Sequence, residues 1–216
     1  MVSANQLFSR RLLLVEDEQL MRSLISNLLS QHGFEVEACG SAAEAAHIVS
    51  TFDPDVLVVD ISLGEGPNGI DLIHAMRNAY PHLAFVVLSN YAVLPASIQD
   101  LSEIAYLRKR DVADPQILVS AVEQVLRDFD ASKSFPITQS NALSALTNQQ
   151  VEVLALMASG LSNQEIALRR GTTVQSTEQL IGRIYKALSL KRNSTKSLRV
   201  QATSLYLSIV GTRGSQ

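Results

Sequence analysis

Apolar positions along this chain follow two periodicities, and they divide it unequally. Up to about residue 130, short continuous apolar runs alternate with stretches in which apolar residues recur every three or four positions. The runs are Arg11 to Val15, Val56 to Val59, Ala84 to Leu88 and Ile104 to Leu107. Val56 to Val59 carries no polar alternation, as expected of a strand covered on both faces. Phe34 to Cys39 alternates, as expected of a strand at or near an edge. Between the runs lie helical patterns. Leu20, Met21, Leu24, Ile25, Leu28 and Leu29 recur at helical spacing until Gly33. Ser41 caps a helix containing Ala42, Ala45, Ala46 and Val49, and Asp53-Pro54-Asp55 turns the chain into the next strand. Gly64 to Gly69 reads as a loop, Ile70 to Ala79 as a helix ended by Pro81, and Ala92 to Leu101 as a weak helix with Pro95 in its first turn. Asp114-Pro115 starts a helix with Ile117, Leu118, Ala121, Val122, Val125 and Leu126 on one face. Five strand–helix units predict an α/β fold: a doubly wound, five-stranded parallel sheet with helices on both faces, because parallel strands need crossovers.

Residues 131–144, rich in Ser, Asn and Thr and containing Pro136, read as a linker, its polar character reaching Leu146. Beyond it only helical spacing remains, so a small all-α domain is expected. Thr147 with Gln150, and Ser162 with Glu165, have capping-box spacing. Val151, Val153, Leu154 and Leu156 fill a first helix ended by Gly160; Ile166 and Ala167 lie on a short second. Gly171-Thr172-Thr173 forms a tight turn with Thr173 as N-cap. Val174 to Leu188 is a third helix, and about Lys196 to Ile209 a fourth. The expected bounds are 9–130, 131–144 and 145–211.

Charge sharpens this division. Residues 1–130 hold 8 basic and 18 acidic residues, whereas residues 147–216 hold 9 basic and 3 acidic. A basic second domain suits a nucleic-acid partner. The single cysteine, Cys39, excludes an internal disulfide and fits a buried apolar position. The apolar runs are too short to cross a bilayer, and Met1 to Arg11 lacks a signal-peptide core, so a cytoplasmic protein without membrane partners is expected. His32, His47, His74 and His82 show no metal-ligand spacing.

Chemistry collects at the strand ends. The first run leads into Glu16 and Asp17, the third strand ends in Asp60, the fourth in Ser89, and Lys109 follows the fifth. In a parallel sheet these ends share one edge, where ligands bind. Clustered carboxylates repel one another, and a hard cation such as Mg²⁺ relieves the repulsion. Asp60 then suits a nucleophile that forms an acyl phosphate, with Lys109 and the metal offsetting the phosphoryl charge and Ser89 hydrogen-bonding its oxygens.

Leu14-Val15-Glu16-Asp17-Glu18, Val58-Val59-Asp60, Leu88-Ser89 and Tyr106-Leu107-Arg108-Lys109 resemble the receiver domain of two-component response regulators, the CheY-like fold, over about residues 10–130. The resemblance implies Asp60 as phosphoacceptor and Asp17 as direct Mg²⁺ ligand. It implies Glu16 acting mainly through metal-bound water and the Ser62 carbonyl completing the protein ligands. Lys109 becomes the phosphate partner, and Ser89 with Tyr106 the switch pair. Two positions depart from the family. Arg110 stands where proline usually follows the lysine, and Gly69 comes nine residues after Asp60 rather than eight. A haloacid-dehalogenase-type phosphatase needs a second aspartate two residues after its nucleophile; position 62 is serine, which excludes it.

Val153-Leu154-Ala155-Leu156, Gly160 to Ala167 and Ile184-Tyr185-Lys186-Ala187-Leu188 resemble the LuxR/NarL-type helix-turn-helix, and Arg199-Val200-Gln201-Ala202 resembles the start of its dimer-forming helix. The resemblance implies a third helix in the major groove of duplex DNA. Phosphate contacts fall to Ser162 and Asn163 and to Arg183, Lys186, Lys191 and Arg192. Thr147-Asn148-Gln149-Gln150 departs from the usual Thr-x-Arg-Glu, and the stretch from Ser189 to Ser197 before the last helix is a few residues long for the family. Glu178 replaces a lysine that commonly contacts DNA, and Gln179 follows it. A carboxylate repels phosphate but accepts from a cytosine amino group, and Gln179 suits adenine. The expectation is therefore a transcription factor rather than an enzyme, phosphorylated on Asp60 by a sensor histidine kinase and homodimeric when active. Glu178 keeps open an alternative, a phosphorylation-controlled protein-interaction regulator that does not bind DNA specifically. A receiver that works without phosphate is a further rival.

Overall fold

A computed structural model of the chain describes residues 10–90, 104–132, 143, 145–191 and 196–211. The chain divides into two compact units, residues 1–129 and 130–216.

In the first unit, strands β1 (Arg11–Val15), β2 (Glu35–Cys39), β3 (Val56–Asp60), β4 (Ala84–Ser89) and β5 (Ile104–Arg108) alternate with helices α1 (Gln19–Gln31), α2 (Ala42–Phe52), α3 (Gly69–Ala79) and α4 (Pro115–Ser132). The expected helix over residues 92–101 lies outside the described residues. The sheet is wholly parallel in the order β2-β1-β3-β4-β5. β1, β3 and β4 are buried throughout, as their unbroken apolar runs require, and alternating β2 is the exposed edge. Successive side chains on each strand enter opposite cores. Leu13, Val15, Leu57, Val59, Phe85 and Val87 pack with Ala45, Val49, Leu72, Ile73 and Met76 of α2 and α3. Leu12, Leu14, Val56, Val58, Val86 and Leu88 pack with Ile25, Leu29, Leu118, Val122 and Leu126 of α1 and α4. Because β1 lies between β2 and β3, the chain reverses its direction of progress across the sheet there. The carboxyl ends of β1 and β3 flank that switch point, where open α/β sheets bind ligands.

Several boundaries moved. α3 begins at Gly69, not Ile70, because Asn68 caps it in a capping box with Asp71. α4 runs two residues into the expected linker, ending at Ser132. Four of the six apolar positions on α1 are buried or half-buried, but Leu20 and Leu24 stand 74% and 51% exposed. His82, on the turn before β4, sets its Nε2 3.2 Å from Asp53 Oδ1. No helix among the described residues is long and apolar enough to cross a membrane.

The second unit holds four helices among the described residues: α5 (Asn148–Ala158), α6 (Asn163–Arg170), α7 (Val174–Ala187) and α8 (Leu198–Gly211). Both expected capping boxes form, and the Thr173 hydroxyl accepts from the Ser176 amide at 3.1 Å. Gly171 ends α6 in the left-handed region at φ 66°, which turns the chain sharply into α7. Val151, Leu154, Ile166, Leu180, Ile181, Ile184 and Ala202 are buried.

Candidate phosphoacceptor site and helical surface

Parallel pairing brings the predicted groups to one edge. Val15 pairs with Val59, so Glu16 and Asp60 follow from adjacent strands at the same level. Asp60 pairs with Leu88, which sets Ser89 one residue beyond it on β4. Glu16 and Asp60 are 0% and 1% exposed, Ser89 is buried, and Asp17 faces solvent. One oxygen each of Glu16, Asp17 and Asp60 lies within 4.8 Å of the others.

Lys109 closes the cluster. Its Nζ lies 2.7 Å from Glu16 Oε1 and 2.9 Å from Asp60 Oδ2. Two buried carboxylates thus share one ammonium. Burial pushes the Glu16 carboxyl above its ordinary value, and Lys109 only partly reverses this. Burial acts to lower the Lys109 pKa, but hydrogen bonds from the ammonium to Glu16 and Asp60 outweigh it and hold it raised. The other oxygens, Glu16 Oε2 and Asp60 Oδ1, are buried without a hydrogen-bond partner. Buried unpartnered carboxylate oxygens beside an exposed aspartate are the donor set a hard, oxygen-seeking cation fits.

Main-chain interactions support these side chains. Arg22, on α1, donates through Nη1 to the carbonyls of Glu16 (2.5 Å) and Asp17 (3.1 Å). Sequence reading missed it; its only signal is one arginine on the polar side of α1. Across the site, Gly69 donates to the Ile61 carbonyl at 3.0 Å. A Cβ on Gly69 would sit 2.1 Å from the Asp60 carbonyl oxygen, so only glycine lets the longer loop return here. Ser62 is exposed on that loop, and the Tyr106 ring is half-buried against the core shared with α2 and α3.

The predicted DNA-facing residues divide into two groups. Ser162 and Asn163 are engaged within the unit. The Ser162 hydroxyl accepts from the Glu165 amide and donates to its carboxylate, and Asn163 Oδ1 accepts from Arg199 Nη1 at 2.9 Å. Glu178, Gln179 and Lys186 are exposed on α7 and Lys191 is exposed beyond it, whereas Arg183 is half-buried. Arg192 lies outside the described residues.

Residues 12–110 match the response regulator receiver domain family. That match spans the strands of the parallel sheet in the first unit. The chain is 27% identical over 215 residues to the nitrate/nitrite response regulator protein NarP of Escherichia coli (strain K12), covering 91% of this chain and 94% of the relative. It is 29% identical over 201 residues to the DNA-binding transcriptional activator DevR/DosR of Mycobacterium tuberculosis (strain ATCC 25618 / H37Rv), covering 85% and 90%. Among solved structures, the N-terminal domain of a response regulator/sensory box/GGDEF 3-domain protein from Carboxydothermus hydrogenoformans matches with a TM-score of 0.51 and 29% identity, over 57% of this chain and 98% of that one. The likeness to these two regulators runs along most of the chain, whereas the structural likeness covers little more than half of it.

Proposed function

We propose that this response regulator is a DNA-binding transcription factor of a two-component system, controlled by phosphorylation of Asp60 from a sensor histidine kinase. The observation that carries the reading is the buried Asp60 carboxylate, held by Lys109 through one oxygen and unpartnered at the other. Oδ1 is the oxygen to attack phosphorus: a bond from it to the phosphoryl group forms as the donor's phosphorus–nitrogen or phosphorus–oxygen bond breaks, and the donor departs with its electron pair. Lys109 stays protonated beside Glu16 and pairs with the new phosphoryl oxygens. Glu16, Asp17, Asp60 and the Ser62 carbonyl would hold Mg²⁺, which when bound supplies charge that offsets the phosphoryl oxygens. Ser89 hydrogen-bonds the phosphoryl group, and Tyr106 follows it as the other half of a two-state switch.

The receiver is assigned to residues 9–130, joined by 131–144 to a DNA-binding domain over 145–211, which dimerises when the receiver is phosphorylated. Lys186 and Lys191, with Arg183 and Arg192, serve the phosphates. Ser162 and Asn163 serve the entry of α6, through its amides rather than its engaged side chains. The rival protein-interaction reading draws only on Glu178, and a DNA-binding transcriptional activator aligned over 85% of this chain weighs against it. The test combines two measurements. With Mg²⁺ and acetyl phosphate, intact mass is expected to show one phosphoryl group on the wild type and none on Asp60→Asn. Electrophoretic mobility on duplex DNA at low salt is expected to shift, more so after phosphorylation. A phosphorylated Asp60→Asn, or no DNA binding in either state, refutes the reading.

A further inference from the structure

The exposed face of α7 contains a feature that nothing among the described residues explains. Gly182 lies in the interior of this helix, exposed, with ordinary helical backbone, and a Cβ added there meets no heavy atom within 4 Å. Glycine in a helix interior carries a several-fold penalty in helix stability relative to alanine. Among the described residues no turn, left-handed backbone or packed neighbour requires it. Four residues before it on the same row stands Glu178, and four residues after it Lys186, both exposed. Glu178 makes no hydrogen bond or ion pair among the described residues. Because the next position on its row is glycine, no longer side chain covers it there. The row therefore presents a carboxylate, a gap and a cation.

We propose that Gly182 is the point of closest approach between α7 and the major groove, and that this approach makes Glu178 a reader of cytosine. The inference rests on the DNA-binding function proposed above and names what that surface selects. Duplex DNA is the occupant the charge favours, since residues 147–216 carry 9 basic and 3 acidic residues and Lys186 stands on the row itself. Against phosphate a carboxylate is repelled, so Glu178 belongs over base edges. Of the major-groove edges, guanine and thymine present acceptors, and adenine sets its N7 acceptor beside its amino group. Cytosine presents its N4 amino group as donor, the partner a carboxylate takes. A side chain at position 182 would hold the helix away from the bases; its absence lets the Glu178 stem reach them.

The test selects sequences from a random duplex pool with the full chain, in the presence of Mg²⁺ and acetyl phosphate. The wild type is expected to favour cytosine at one position of its half-site by about tenfold. Glu178→Gln, which both donates and accepts, is expected to move that preference to adenine with other positions unchanged. Gly182→Leu is expected to lower affinity for every duplex at least tenfold, while thermal unfolding shows a domain as stable or more so. An unchanged base preference in Glu178→Gln, or wild-type affinity in Gly182→Leu, overturns the inference while leaving DNA binding intact. A wild type that binds no duplex at low salt removes the inference together with the function on which it rests; binding of α7 to a protein instead would belong to that outcome.

Discussion

Lys109 and the carboxylates it bridges make an asymmetric prediction. Removing Lys109 leaves Glu16 and Asp60 buried and facing each other with no cation, an arrangement that costs roughly 3 kcal/mol when a buried pair loses one partner. Removing the charge of Asp60 instead leaves Lys109 its bond to Glu16 and relieves like-charge repulsion. In metal-free buffer, urea unfolding is expected to show Lys109→Ala destabilised by that amount and Asp60→Asn within about 1 kcal/mol of wild type. The reverse ranking would mean the ammonium does not hold the pair. Cys39 gives a second residue-scale outcome. Burial pushes its thiol up to about 11, so few thiolates form near neutrality. Its neutral form is favoured in the fold, and this contribution to stability is lost as pH rises from about 9 toward 11. Alkylation at pH 8 is expected to run about a hundredfold slower in the folded chain than in urea, each unit of pH rise toward 11 speeding the folded chain about tenfold. At this scale the sequence is legible where charged side chains meet one another, as Asp60 and Lys109 do. It is silent where a side chain serves main-chain carbonyls, as Arg22 does, since carbonyls leave no residue-type trace.

Among the elements, α1 shows what periodicity resolves and what it leaves open. The six apolar positions from Leu20 to Leu29 span about half the helix circumference at 100° per residue. The sheet claims one side of that arc, burying Ile25 and Leu29, and leaves Leu20 and Leu24 outside it. Spacing alone identifies the stripe but not which edge of it the sheet covers. Chemical denaturation is accordingly expected to show Leu29→Ala costing about 2–5 kcal/mol and Leu24→Ser no more than about 0.5 kcal/mol. The loop from β3 to α3 is a different case. Its extra residue is visible in the sequence, but the reason Gly69 ends it is not, because the crowding comes from main chain folded back upon itself. Gly69→Ala would drive a Cβ against the Asp60 carbonyl, and backbone yields less than a side-chain end. Its expected cost is about 3 kcal/mol or more, with loss of phosphorylation by acetyl phosphate in whatever folded fraction remains. A variant that is stable and phosphorylated normally would show that the loop has room.

Across the whole molecule, composition separated what the structure shows as two units, because an acidic α/β pattern and a basic helical pattern need different surfaces. That asymmetry yields the last expected outcome. Phosphate contacts of the kind proposed make DNA affinity fall as salt rises, because releasing condensed counterions then gains less entropy, with a log–log slope near −0.9 per contact. Four such contacts predict a loss on the order of a hundredfold between 50 and 200 mM salt. The receiver's chemistry lies on other residues, so the two responses should separate. Asp60→Asn is expected to keep the salt slope and lose the effect of acetyl phosphate. Lys186→Ala is expected to reduce the slope by about one and to keep that effect. Fluorescence titration of both variants across salt, with and without the phosphodonor, measures the two together. If Asp60→Asn alters the slope as Lys186→Ala does, phosphate control and DNA contact are not divided between the units as their charge divides them.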